Sequence, residues 1–330
     1  MEENHPALAL LTMPNISVVI PVKDGAPTLE RCLDSLRKQI LDAPLEIIIA
    51  DSMSTDDSRQ IASRYAAKII TIPAGEFDHG LTRNIGVQQA TGDLIFLSVQ
   101  DAWLSTNDLL QKMANHFHNP DVMAVVGHQA VPHEKDKNPM LWYRPVSLPG
   151  ITEKRIDNVE LFNALPPKQQ QDIIAWDDVV AMYRKSALMQ QPFVQTAFAE
   201  DWIWSNQALR KGWLLLHDSS LVVYHYHHHG YQYAFNSRYT VNYHFYKFFK
   251  YKPDVPSLAK PIMRATYHLL KRKDLSLKEK AFWISHNATA LFANYFSTKD
   301  FLKRLKLEGE SGIAKGYLLY CKAIPQGKQQ

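Results

Sequence analysis

Cysteine is scarce. Cys32 and Cys321 are the only two in 330 residues, too few for a disulfide framework, which excludes a stapled secreted mini-domain. Long apolar stretches are missing as well. Runs such as residues 45–50 (LEIIIA) fall far short of the ~20 residues a membrane-spanning helix needs, so nothing here reads as crossing a bilayer. No basic-then-apolar leader precedes Met13, and with two thiols the chain reads as one of a reducing cytoplasm. Internal repeats and low-complexity tracts are absent, which removes solenoids and fibrous folds. What remains is a globular balance, 46% hydrophobic and 21% charged.

The net charge of +4 conceals an asymmetry. Residues 1–244 hold 20 Lys and Arg against 27 Asp and Glu, a balance of −7; residues 245–330 hold 17 against 6, a balance of +11. The body is acidic and the tail basic. Such a tail suits an anionic surface, membrane headgroups or nucleic acid, or simply a solvated helical face.

Along the body, short β-branched runs alternate with helical spacing. Residues 16–22 (ISVVIPV) read as a buried strand, and Leu29, Cys32, Leu33 and Leu36 as one helix face. Strands follow at 46–50, 68–72, 93–98 and 122–127, with helices between them at Ile61 and Tyr65, 81–90 and 109–117. This is the pattern of a doubly wound, mostly parallel α/β sheet. Residues 134–170, with Pro139, Pro145, Pro149, Pro166 and Pro167, read as a long irregular excursion. Helical character returns at 198–210, short apolar runs at 214–224, and beyond Pro256 only helices are expected. The expected division is an extended or disordered 1–14, a sheet domain over 15–250 and a basic helical region over 251–330.

Open parallel sheets bind ligands outside the carboxyl ends of their strands, where helix amino-termini converge. The first strand ends at Val22-Lys23-Asp24-Gly25, the second at Asp51-Ser52-Met53-Ser54-Thr55-Asp56 and the fourth at Ser98-Val99-Gln100-Asp101. Each Asp alone is as readily a turn former or helix cap. Turn chemistry gives no reason for all of them to fall on one edge.

The ordered segments ISVVIPVKDG, IIIADSMSTDDS, FDHGLTRNIG, TGDLIFLSVQDA, FAEDWIWSNQALRKGW and LVVYHYHHHGY resemble a family 2 glycosyltransferase of the GT-A fold over about residues 14–250. Within that family the FDHGLTRN, QDA, AED and H-x-H segments are most similar to bacterial rhamnosyltransferases. The resemblance implies an inverting transfer of a sugar, L-rhamnose from dTDP-L-rhamnose first, to a glycan or lipid-linked oligosaccharide acceptor of a bacterial surface polysaccharide. A UDP-hexose donor, or nucleotide-sugar binding without turnover, are the alternatives.

It also implies roles. Asp101 stands where the family presents a D-x-D pattern; here Ser98, Gln100 and Asp101 leave one carboxylate for Mg²⁺ or Mn²⁺, so metal and donor are expected to bind together. His225 falls near metal and phosphates, and imidazole suits Mn²⁺ better than Mg²⁺; the run His225, His227, His228, His229 is otherwise a zinc site or a solvated turn. His79 and Arg83 are expected at phosphate oxygens, Arg83 through its planar donor fork. Asp51 is expected to accept from a pyrimidine N3–H, which uracil and thymine both offer, with Pro21, Lys23 and Gln100 lining the same cleft. Asp201 is implied as the base that takes the acceptor proton, with Glu200 orienting it, both ionised at a positive helix end. Trp202 and Trp204 read as sugar platforms or core.

A nucleotidyltransferase lacks its paired carboxylates and Gly-rich loop here, and a nucleic-acid partner is disfavoured by the acidic body. Residues 258–273 mix Ile262, Tyr267, Leu269 and Leu270 with Lys260, Arg264, Lys271, Arg272 and Lys273. They read as a membrane-surface segment at the inner face of the plasma membrane, as packing onto the domain, or as a homodimer contact.

Overall fold

In chain order, the computed structural model holds β1 (Ile16–Val22), α1 (Ala26–Arg37), β2 (Leu45–Asp51), α2 (Ser58–Arg64), β3 (Lys68–Thr71), α3 (His79–Gln89), β4 (Leu94–Leu97) and β5 (Trp103–Leu104). It continues with α4 (Leu109–Asn115), β6 (Val122–Ala130), β7 (Ile151–Lys154), α5 (Val159–Ala164), α6 (Pro167–Ile174), β8 (Ala181–Arg184), α7 (Lys185–Gln190), α8 (Glu200–Arg210) and β9 (Leu214–Tyr224). Three helices close the chain: α9 (Tyr231–Phe249), α10 (Ala259–Lys271) and α11 (Leu277–Cys321). The structure describes residues 14–321 apart from 135, 142–149, 197 and 229. The extended or disordered segment expected at 1–14, Pro14 excepted, lies outside the described residues, as do Pro145, Pro149 and His229.

The sheet runs β3-β2-β1-β4-β8-β6-β9-β5, with β7 on β9. β3, β2, β1 and β4 are parallel neighbours, β8 enters antiparallel between β4 and β6, and β6 and β9 are parallel again. Strand alternation builds a core on each face. Val18, Ile20 and Val22 of β1 join Ile47 and Ile49 and the α1 residues Leu29, Leu33 and Leu36; Val19 joins Ile48, Ile95, Leu97 and Val87 on the other side. The expected doubly wound, mostly parallel mixed sheet with a helical C-terminal region is the architecture observed.

Within the irregular excursion expected over 134–170, residues from 151 onward instead form β7, α5 and the start of α6. Asn158 caps α5 by accepting from the Leu161 N–H at 3.0 Å, and Pro167 sits at the start of α6. Pro166 and Pro167, two of the five prolines that suggested a loop, open a helix, where a missing N–H costs nothing.

α3 lies on β1 through a close approach at Gly86. A Cβ there would fall 2.3 Å from Val19 Cγ1, and Val19 is a stiff, fully buried residue. We expect Gly86→Ala to push α3 off the sheet and cost about 1–3 kcal/mol, read as a lower urea midpoint.

The C-terminal helices make their own small core. Gly309, at φ 64°, turns α11 back on itself, so that Tyr317 and Tyr320 come alongside Phe301 and Arg304. α11 packs on α9 there, with Tyr243 stacked on Tyr317 at 4.2 Å and Tyr239, Phe301 and Ile313 buried together.

Candidate active site

The loops after β1 and β2 are stitched to each other. Asp24 N donates to Ser54 Oγ at 2.9 Å, Gly25 N to Ser58 Oγ at 2.8 Å, and Thr55 N to Asp24 Oδ1 at 2.7 Å. Pro21 is buried within β1. Gln100, after β4, joins the same seam: its Oε1 accepts from Lys23 N at 2.8 Å and its Nε2 donates to Lys23 O at 3.2 Å. Lys23 Nζ reaches Met53 O at 2.7 Å. Gln100 and Lys23 thus spend polar groups holding the loops after β1, β2 and β4 together. Asp51 is sealed, at 0% exposure, with Arg59 on its Oδ2 at 2.7 Å and the Ser54 N–H on its Oδ1 at 3.2 Å. A pyrimidine N3–H reaches it only if Arg59 moves.

Asp101 meets two histidines from the end of β9. His225 Nε2 lies 3.3 Å from Asp101 Oδ1 and His227 Nε2 3.2 Å from Asp101 Oδ2, and one ligand atom from each residue falls within 4.8 Å of the others. The chain is extended there, so residues two apart point to one side. His225 Nδ1 is 2.8 Å from Gln129 Oε1 on β6, while Gln129 Nε2 donates to Asp177. That second bond holds the amide nitrogen and turns the Gln129 oxygen to His225 Nδ1. His225 Nε2 is buried beside an Asp101 oxygen. A carboxylate with two imidazoles is a donor set suited to Mn²⁺.

The second cluster gathers around Arg83. Arg83 is 3% exposed; its Nη1 is hydrogen-bonded to Glu200 at the start of α8 and lies 3.7 Å from Asp178 Oδ2. It is therefore turned to carboxylates rather than to phosphate as expected, because four acids, Asp177, Asp178, Glu200 and Asp201, crowd one buried region with a single guanidinium. Tyr183 donates to Asp178 and accepts from Trp176 Nε1 at 2.6 Å. His79 begins α3, packed edge-on to Phe77, and burial holds its imidazole below its ordinary pKa.

The acids divide. Burial raises Asp201 well above the carboxylate range, with Glu200, Asp178 and Asp177 adding to it. Asp177 and Asp178 are raised mainly by burial too. Burial also works against Glu200, but Arg83 and then His79 outweigh it and its pKa falls. The helix end was expected to keep both Glu200 and Asp201 ionised. Glu200 is held low by Arg83 and His79; at Asp201 desolvation and three like charges win.

Ala199, ahead of α8, is left-handed at φ 65° without being glycine, a strained geometry that aims the first turn into this cluster. Trp204 is core, 1% exposed, with Nε1 on Gln191 O at 2.7 Å; Trp202 is partly buried against Phe245 of α9. On α9, burial raises the Tyr233 hydroxyl, with Asp101 adding to it, and burial lowers the His244 imidazole to about 4 against the pull of Glu200.

Two side chains that no sequence motif flagged join the halves, Gln129 and Asp177, and His227 comes in as a partner of Asp101 beside His225. The H-x-H spacing on an extended segment was a usable signal for His227. Nothing local marks Gln129, which matters only because β6 runs beside β9.

Residues 17–189, more than half of the chain, match the family model described as glycosyl transferase family 2. The chain is 36% identical over 130 residues to the O-antigen chain rhamnosyltransferase WbaN of Salmonella anatum, covering 39% of this chain and 40% of that protein. It is 33% identical over 127 residues to the O-antigen chain rhamnosyltransferase RfbN of Salmonella typhimurium, covering 38% and 40%. The chain thus spans about two fifths of the length of these relatives. Among solved structures, S. aureus TarS 1–349 in complex with UDP-GlcNAc superposes with a TM-score of 0.52 at 16% identity, covering 94% of this chain and 91% of that one, a likeness of fold. On the family match, set beside the sheet and the strand-end clusters, the chain belongs to glycosyl transferase family 2.

Proposed function

We propose that the chain is an inverting, metal-dependent sugar transferase whose donor is dTDP-L-rhamnose and whose acceptor is a hydroxyl of a glycan or lipid-linked oligosaccharide in bacterial surface polysaccharide synthesis. One observation carries the mechanism. The Asp101, His225 and His227 triad is linked through Gln129 to Asp177, one of the buried acids grouped with Asp201. The likeness to two O-antigen chain rhamnosyltransferases supports the donor sugar.

In this reading Asp101, His225 and His227 would hold Mn²⁺ or Mg²⁺, which would supply positive charge to the departing diphosphate. Gln129 fixes the His225 ring through Nδ1. The seam of Lys23, Pro21 and Gln100 shapes the nucleotide floor, and Asp51 reads the base once Arg59 swings away. Asp201 accepts the proton of the acceptor hydroxyl as it attacks the anomeric carbon opposite the diphosphate, so configuration inverts without a covalent intermediate. Arg83 keeps Glu200 ionised beside Asp201 and carries no phosphate contact. The reading places the enzyme in the cytoplasm, peripheral at the membrane, and its sheet domain over 15–250 with the helical region after it.

The test is nucleotide release from a panel of nucleotide sugars, with Mn²⁺, with Mg²⁺ and with chelator. We expect release from dTDP-L-rhamnose, lost on chelation. Preference for a UDP-hexose would overturn the rhamnosyl donor, undiminished release in chelator the metal, and no release from any donor the transfer itself.

A further inference from the structure

A surface helix ordinarily hides one apolar stripe and turns a polar face to water. α10 departs from that rule. Its Ala265 and Leu269 are buried, Leu269 in a small core with Leu275 and Trp283. Yet Met263, Tyr267 and Leu270 are 62%, 55% and 56% exposed. At ~100° per residue these three fall within about 60° of each other and roughly 150° from the buried pair, so a second apolar stripe stands uncovered. Lys260, Arg264 and Lys271, all exposed, line one flank of it. The Lys271 ammonium sits over the Tyr267 ring at 4.3 Å and donates to its hydroxyl, so the cation stays beside the stripe. Just beyond, Leu277 and Phe282 are 82% and 55% exposed, with Lys273 and Lys278 exposed around them. Residues 259–280 hold seven Lys and Arg against two carboxylates, of which Asp274 is paired with Arg272.

We propose that the Met263, Tyr267 and Leu270 stripe with its basic flank docks on an anionic lipid surface. Apolar side chains ringed by cations match the interface of an acidic bilayer, where the stripe enters the acyl boundary and the cations stay at the headgroups. A second copy meeting this face about a two-fold axis would set the same cations against each other. No helix among the described residues is long and apolar enough to cross a membrane, so the contact is lateral. This deepens the peripheral-membrane part of the proposed function.

Flotation of the full chain tests it, with vesicles of phosphatidylglycerol and phosphatidylethanolamine against vesicles of phosphatidylcholine. We expect recovery with the anionic vesicles only, lost in raised salt. Lys260→Glu with Arg264→Glu should lower the bound-to-free ratio tenfold or more, since each cation near an acidic surface is worth about fivefold. Met263→Ser with Leu270→Ser should lower it comparably without altering the helical circular dichroism. Nucleotide release in lipid-free solution, unchanged in both variants, separates failure of docking from failure of transfer. Equal recovery on both vesicle types, or wild-type flotation of both variants, overturns the proposal. So does a dimer that either variant dissolves, because the stripe would then face a second copy.

Discussion

Asp201→Asn is expected to bind the nucleotide-sugar donor as the wild type does and to lose transfer by on the order of 10² or more, the scale of an absent general base. The substitution keeps the shape of the side chain and removes its capacity to take a proton. One carboxylate oxygen already accepts the Trp202 N–H at 2.7 Å, a bond that the Asn oxygen can keep, so the start of α8 should stay in place. The pH profile distinguishes a base from a merely structural acid. Because burial and then Glu200, Asp178 and Asp177 raise the Asp201 pKa, the base is protonated at low pH and becomes competent only as pH climbs through that raised value. Wild-type kcat/KM should therefore rise with pH well above the ordinary carboxylate range of about 4, and Asp201→Asn should abolish that limb. The limb belongs to the Asp177, Asp178 and Asp201 set, whose protons come off together rather than residue by residue. A variant with near-normal transfer and an unchanged acid limb would remove Asp201 from the role.

Much of the scaffold was legible because the signals were local and repeated. β1 and β9 carry apolar runs that end where the strands end, and the strand-end Asp51 and Asp101 do fall along one edge of the sheet. Residues 151–170 misled because Pro166 and Pro167 look alike whether they break a helix or open one; here they stand at the cap and first position of α6. The site was legible only in its members, not in their pairing. Arg83 carries a fork that fits phosphate and carboxylate equally well, and its choice of Glu200 depends on α3 and α8 meeting across 117 positions of sequence. Likewise the division of Glu200 from Asp201 follows from two buried acids, Asp177 and Asp178, that arrive from the segment before β8. No spacing rule within α8 announces them.

Arg83 is where removing a charge should cost most in stability. Arg83→Met keeps the apolar stem and leaves Glu200 and Asp178 buried without that guanidinium. Breaking one partner out of a buried pair costs about 3–5 kcal/mol, a large share of the roughly 5–15 kcal/mol that holds a domain together. The signature lies in its pH dependence. In the wild type Glu200 has a lowered pKa, so its contribution is fully present above the unfolded value and is lost only as pH falls through the folded one. Without Arg83, burial and the neighbouring acids act on Glu200 unopposed and its pKa rises instead. The folded variant then holds a proton that the unfolded chain releases near pH 4, and its stability should fall as pH rises from there toward the new folded value. Urea unfolding at pH 5 should consequently show the variant much nearer to wild type than unfolding at pH 8. Adding Glu200→Gln removes the uncompensated charge, so the double variant should regain most of the loss at pH 8, and the cycle should report a coupling of several kcal/mol. A deficit that is the same at both pH values and is not relieved by Glu200→Gln would assign Arg83 to packing, and the electrostatic account of how Glu200 stays ionised beside a protonated Asp201 would fall with it.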